Sequence, residues 1–313
     1  MKRRVFKCVF LMFLVTLFHL GCKEEYRLPV VEIDSIGYVT PFSAIVYANV
    51  VDGGNDLVFE KGVCWSEHPN STIKDSSSYT FMQDTGKYYS PLYTLQPGGR
   101  YFVRAYARNG GGTSYSDEKV LDLPETEYMI DSRDGQKYAT VKIANLVWMA
   151  ENLNYYTPRG SWYYDRDSVK YHEWGRLYNW KTAKEACPDG WHLPSDEEWM
   201  ELEKSIGVKV EKFMTQAEVG KEAGKLKEPG ILHWEYESDS VTNETGFTAI
   251  PGGAYNLQND TFVNLGIYAF FWTATLDEGM ALFRRYWMLN NAIVRKSADT
   301  TAVGYSVRCV KDD

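Results

Sequence analysis

Residues 187–199 read CPDGWHLPSDEEW, and this stretch organises the second half of the chain. It joins a cysteine, the Asp189-Gly190 turn, Trp191 and Trp199, and a helix start at Pro194-Ser195. Ser195 is placed to accept from the backbone N–H three residues on, while Glu198 reaches back to Ser195, which is a capping box. Trp199 and Leu202 then fall on the buried side of the helix. Negative charge is stabilising at a helix start, so Asp196, Glu197 and Glu198 need no chemistry to explain them. The stretch reads as the hub of a folded domain.

Upstream, EWGRLYNWKTAKEAC predicts a helix with Leu177, Trp180, Ala183 and Ala186 on one face, stopped by Pro188 and the Asp189-Gly190 turn. Before it, YATVKIANLVWMAENLNY is a strand-like run carrying Val141, Ile143, Leu146 and Trp148. Downstream, a lysine- and glutamate-rich stretch extends to about Glu228. Short aromatic segments follow: TNETGFTAIPGGAYN, LGIYAFFWTAT, RRYWMLNNAIVRKS and GYSVRCVKD. Helices at the hub and short strands elsewhere imply a compact α+β domain over 129–313.

The first half is different. Phe42, Ala44, Val46, Ala48 and Val50 alternate as in a strand with one buried face. A turn cluster at Asp52-Gly53-Gly54-Asn55 precedes Gly62-Val63-Cys64-Trp65, with Trp65 expected between two sheets. In LQPGGRYFVRAYARNGGGTSY, Leu95, Pro97 and Tyr101 match a tyrosine corner, and Tyr101, Val103, Ala105 and Ala107 alternate inward before a glycine-rich hairpin. Residues 27–123 therefore resemble an all-β fibronectin type III-like sandwich, a fold that implies a spacer or a protein-binding module. No RGD tripeptide is present. The polar residues 124–128 mark the linker.

The chain has 313 residues, enough for two domains, and its 44% hydrophobic and 24% charged content excludes a disordered class. Lys2, Arg3, Arg4 and Lys7 precede an apolar run ending at Gly21-Cys22, too short and too terminal for a spanning helix. Residues 1–22 resemble a bacterial lipoprotein signal, with Cys22 as the lipidated residue and 23–26 as a tether. The departure from that signal is His19, where an aliphatic residue is usual. Lys23-Glu24-Glu25 resembles the acidic tag that sends some lipoproteins to the outer face of the outer membrane; periplasm-facing anchoring is the alternative. Without 1–22 the chain holds 30 basic and 42 acidic residues, a net of −12, which argues against nucleic acid as a partner. Export implies an oxidising compartment. Of the remaining cysteines, Cys64 lies on an expected core strand, so Cys187 and Cys309 are the expected disulfide.

Seven ordered motifs, WMAENLN, GRLYNW, CPDGWHLPSDEEW, GKLKEPG..HW, NETGFTAIPGGAYN, FFWTAT and GYSVRCV, resemble the Fibrobacter succinogenes major paralogous domain. The resemblance implies a C-type-lectin-like fold, related to sulfatase-modifying domains, in surface or secreted lipoproteins. It also raises an enzymatic reading, but the oxidative chemistry of those relatives needs a reactive cysteine pair, and Cys187 and Cys309 are better read as a bridge. His172, Glu173, His192 and His233 are scattered, without HExxH or CxxC spacing. Glu228-Pro229-Gly230 begins like the calcium-and-sugar EPN signature of lectins but lacks the amide, so the sequence specifies no metal or other cofactor, and a Ca²⁺ cage of loop oxygens stays open. The ligand-binding candidates are Trp272, Tyr286, Trp287, Asn290 and Asn291, because aromatic faces beside amides suit sugars or peptide side chains. No catalytic residue is assigned. The expected function is non-catalytic binding of glycan or protein ligands by a lipid-anchored envelope protein, with a structural, adhesin or assembly role as the alternative.

Overall fold

The computed structural model describes residues 27–80, 85–209, 217–236, 240–298 and 300–312. The expected signal peptide, Cys22 and the tether lie outside the described residues. Among these residues no helix is long and apolar enough to cross a membrane.

The first domain comprises β1 (Val30–Gly37), β2 (Ala44–Asp52), β3 (Glu60–Ser66), β4 (Ser76–Thr80), β5 (Gly86–Leu92), β6 (Arg100–Asn109), β7 (Gly112–Tyr115) and β8 (Lys119–Asp122). One sheet runs β1-β2-β5; the other runs β4-β3-β6-β7, with β8 also pairing β6. The alternating residues do what their period requires. Val46, Ala48 and Val50 of β2 meet Val63 and Trp65 of β3 and Val103, Ala105 and Ala107 of β6 in one core. The Tyr101 hydroxyl accepts the Gln96 N–H at 2.9 Å, closing the tyrosine corner. Strand order and corner together make this the fibronectin III-like sandwich that the sequence predicts. Cys64 is buried and free, and burial pushes its thiol up to about 11, which leaves it an inert space-filler.

The second domain begins earlier than the expected linker allows, with β9 (Glu127–Ile130). Then follow β10 (Lys137–Ile143), β11 (Leu146–Met149), β12 (Ser161–Trp162), β13 (Leu177–Asn179), α1 (Trp180–Ala186), β14 (Trp191–His192) and α2 (Asp196–Ser205). The remaining strands are β15 (Ala217–Gly220), β16 (Ala254–Asn256), β17 (Thr261–Val263), β18 (Tyr268–Asp277), β19 (Met280–Trp287), β20 (Ile293–Ala298), β21 (Val303–Tyr305) and β22 (Val310–Lys311). They form three sheets, ordered β14-β22-β11-β10-β9, β12-β13-β21-β16-β17 and β15-β20-β19-β18. The described residues are mainly β, with α1 and α2 as the α-helices, so strand outweighs helix more than an α+β reading implies.

Two elements differ from expectation. The single strand-like run is a hairpin, β10 and β11, because the chain reverses through Ala144 in the left-handed region. The expected helix starts three residues late. Asn179 stays extended and its side chain accepts the Thr182 N–H at 2.9 Å, so Leu177 ends in a strand while α1 begins at Trp180.

The hub folds as read. The Ser195–Glu198 capping box is complete, and Trp199 and Leu202 are buried. Trp199 packs on Trp148 at 4.8 Å, on Phe247 at 5.7 Å and on Phe271 at 5.7 Å between ring centres. Cys187 is bonded to Cys309. β14 pairs with β22, and the Asp312 N–H donates to Gly190 O at 2.9 Å, so the chain end is zipped onto the hub by backbone bonds as well. Asp196 is more than a helix-start charge. It receives Arg284 at 2.7 Å and Arg295 Nε at 2.9 Å, while Glu203 on the next turns of α2 receives the other edge of Arg284. All four side chains are buried.

Candidate functional site: an open aromatic face and a domain-junction cleft

β18 and β19 pair Tyr268 with Trp287, Phe270 with Arg285, and Trp272 with Phe283. Opposed residues of an antiparallel pair share a face, so these six side chains stand on one side of the sheet. Ala269, Phe271, Arg284 and Tyr286 stand on the other, where Arg284 reaches Asp196 and Glu203 of α2.

The two sides have different neighbours. On the first, Tyr305 of β21 roofs one end, with its ring centre 4.7 Å from Phe270 and 4.6 Å from Trp272. Trp272 is wholly buried there, and its indole N–H donates to Tyr178 O at 2.7 Å. Tyr286 is wholly buried on the α2 side, its ring 5.7 Å from Phe271. Neither can face a ligand, which corrects the expectation for both: Trp272 is covered by the neighbouring sheet and Tyr286 by the helix layer.

Trp287 lies beyond the roof, half-buried and stacked on Tyr268 at 6.0 Å with 19° between ring planes. The Arg285 guanidinium stands over Tyr268 at 5.0 Å. Its Nε is buried with no hydrogen-bond partner, and among the described residues no carboxylate pairs with it. Asn290 and Asn291 shape the adjoining turn. Asn290 Oδ1 accepts the Ala292 N–H at 3.0 Å, and the Asn291 carbonyl accepts the Ala223 N–H at 3.0 Å. The carbonyls of Trp287 and Asn290 both accept from the buried Lys227 ammonium, at 3.0 and 3.4 Å, which fixes the strand end beside the Tyr268–Trp287 pair. Thus Trp287 is brought to an open face, whereas Asn290 Oδ1 and the Asn291 carbonyl serve the turn. Sequence reading missed Tyr268 and Arg285. The signal was there: period two along YAFFW and RRYW puts Tyr268, Arg285 and Trp287 on one face once the register is known.

A second concavity, of about 470 Å³, lies at the domain junction between Tyr93, Gln96 and Pro97 of the sandwich and Glu151, Asn152 and His233 of the second domain. Its charged groups are largely matched to one another. His233 Nδ1 lies 2.9 Å from both oxygens of Glu228, and its ring stands edge-on to Trp174 at 4.6 Å. Glu228, the acid of the EPG triplet, is therefore a histidine partner. Arg308, fully buried beside the cleft, donates to Asn152 Oδ1 at 2.7 Å and to the carbonyls of Phe247 and Thr248 at 2.7 and 2.8 Å. Glu151 as a whole residue is exposed, yet desolvation at the cleft wall raises its pKa; its bond from the Ala139 N–H at 2.6 Å and the nearby Arg308 oppose that rise without cancelling it. Gly230, with φ +87°, is where the domains touch: a Cβ there would come within 2.8 Å of the Tyr93 ring, so only glycine lets the ring lie against the backbone. Among the described residues no three His, Cys, Asp or Glu side chains gather as around a metal ion.

The two surfaces differ in how their buried polar groups are matched. In the cleft the buried ionic groups already have partners, whereas the open face holds an unmatched guanidinium beside half-buried aromatic rings.

The sensor domain of the anti-sigma factor RsgI4 of Pseudobacteroides cellulosolvens matches 34% of this chain and 98% of its own, at 16% identity and a TM-score of 0.26. The third fibronectin III domain of the human KIAA0343 protein matches 34% of this chain and 91% of its own, at 20% identity and a TM-score of 0.24. No curated protein shows significant similarity to the chain. Residues 141–311 match the profile of the Fibrobacter succinogenes major domain. That stretch is more than half of the chain and contains the hub, its disulfide and the open face, and the protein belongs to the Fibrobacter succinogenes major domain family.

Proposed function

We propose that this chain is a non-catalytic envelope lipoprotein, lipid-anchored through Cys22 at the outer membrane and facing the cell surface. The sandwich acts as a spacer that presents a C-type-lectin-like domain for binding glycan ligands. One observation carries the binding part: the half-buried Tyr268–Trp287 stack with Arg285 over Tyr268, partly exposed aromatic surface beside a cation at the edge of a sheet. The lectin-like reading draws support from β9 and β22, which bring both ends of the second domain into one sheet. The anchor reading draws on Lys2 to Lys7, the apolar run and Gly21-Cys22.

The chain lacking residues 1–22 is expected to be retained on at least one of a set of polysaccharide columns. Trp287→Ala should weaken retention about fivefold, in line with the ~1 kcal/mol that aromatic contacts contribute. Absence of retention on every polysaccharide, together with capture of a protein partner, would move the assignment to an adhesin or assembly component. Cys22→Ser should release the full chain into the soluble fraction; unchanged membrane partition would remove the anchor.

A further inference from the structure

We infer that the open face takes an acidic polysaccharide, with a sugar ring on the Tyr268–Trp287 surface and the sugar's carboxylate on Arg285. This inference rests on the binding reading above and names its ligand class.

Other guanidiniums of the second domain are already engaged. Arg284 is held by Asp196 and Glu203, Arg295 by Asp196, and Arg133 by Asp131. Arg308 has four oxygen acceptors, from Asn152, Met149, Phe247 and Thr248. Arg176 shares with Arg285 a buried Nε that lacks an acceptor, but its guanidinium lies between Tyr163 at 3.9 Å and Tyr156 at 5.1 Å. Arg285 has one ring, Tyr268, and no carboxylate among the described residues.

A partly desolvated cation without a counter-charge is unfavourable unless something outside the fold supplies the charge. A carboxylate is the natural complement, because the guanidinium fork matches two carboxylate oxygens. The same face dictates the rest of the ligand. Trp287 and Tyr268 lie directly opposite across the β18–β19 pair with nearly parallel rings, which places partly exposed aromatic surface next to the charge. An acidic sugar offers an apolar ring face and an equatorial carboxylate in one unit. Retention on a polyanion would also be informative in itself: the chain is net negative and would be repelled by a generic anionic matrix.

The test uses the chain lacking residues 1–22 on polygalacturonate and on its methyl ester, which share a backbone and differ in charge, with dextran sulfate and polyglutamate alongside. The expected result is retention on polygalacturonate at least tenfold stronger than on the ester. Arg285→Gln should abolish that preference and Arg285→Lys restore part of it, all variants having wild-type circular dichroism. Equal retention on polygalacturonate and its ester would overturn the acidic inference while leaving glycan binding intact. Preference for dextran sulfate would reassign Arg285 to sulfated sugars, and capture by polyglutamate alone would overturn the sugar itself. Retention on none of the four would overturn this inference, and only failure on neutral polysaccharides as well would remove the reading beneath it.

Discussion

His192 shows how a residue that invites a catalytic reading can be accounted for by structure. Its Nε2 lies 2.7 Å from Glu198 and its Nδ1 2.6 Å from Asp312, so one imidazole bridges the helix start and the chain end. Burial pulls its pKa down, but the bonds to Asp312 and Glu198 outweigh burial and the net shift is upward. A histidine whose folded pKa is raised contributes stability that is complete below its unfolded pKa, about 6.5, and is lost as pH rises through the folded value. The stability difference between wild type and His192→Gln should therefore be about 1 kcal/mol at pH 5.5, given that the ring is partly exposed, and should close above neutrality. Denaturant unfolding at pH 5.5 and 8.5 measures it; a difference that is constant or widens with pH would refute the bridge. In the sandwich, Tyr101→Phe should cost about 1–2 kcal/mol in the same assay, because the Gln96 N–H loses its acceptor. The sequence pattern disclosed Tyr101, whose partner is five residues away, but not the role of His192, whose partner Asp312 is 120 residues away.

At the scale of elements, α2 was legible because its determinants are local: the cap is Ser195, the return bond comes from Glu198, and the buried stripe is Trp199 and Leu202. α1 was legible only in part. The apolar spacing of Leu177, Trp180, Ala183 and Ala186 is real, since Leu177, Ala183 and Ala186 are buried and Trp180 half-buried, but Asn179 caps the helix after Leu177 and gives that residue to β13. What no local pattern contains is the ionic layer between α2 and the sheet. Asp196 and Glu203 lie one above the other on α2 and grip Arg284 and Arg295 from two neighbouring strands. Breaking such a buried set by removing one member leaves a charge unmatched, so Asp196→Ala should cost about 3–5 kcal/mol in urea unfolding. A loss below about 1 kcal/mol would mean that the layer behaves as an exposed pair. The same register that buries Arg284 turns Arg285 outward, so the proposed binding face and the ionic layer are opposite sides of one strand.

Across the whole molecule, the two domains meet along the junction cleft, where Tyr93 of the sandwich lies against Gly230 of the second domain. At the exit from the sandwich, Leu123 N–H donates to Gly99 O at 2.9 Å and Gly98 N–H donates to Pro124 O of the linker at 3.0 Å. The change from strand period in the first half to helix period at the hub is visible in the sequence; the junction cleft is not, since its walls come from segments far apart in the chain and only the packed fold brings them together. The disulfide lies entirely within the second domain and joins residues 122 apart. By loop entropy such a cross-link stabilises by about 5 kcal/mol, and native strain or residual structure reduces that figure. The sandwich holds only the buried, free Cys64, so reduction has nothing to break there. Calorimetry of the chain lacking residues 1–22 should therefore show two transitions, of which reduction lowers only the one belonging to the second domain, by roughly 10–20 °C. Cys187→Ala with Cys309→Ala should reproduce that shift without reductant. If reduction moved both transitions together, the junction would be coupling the domains, and the sandwich would be a working part of the second domain's stability instead of the proposed spacer.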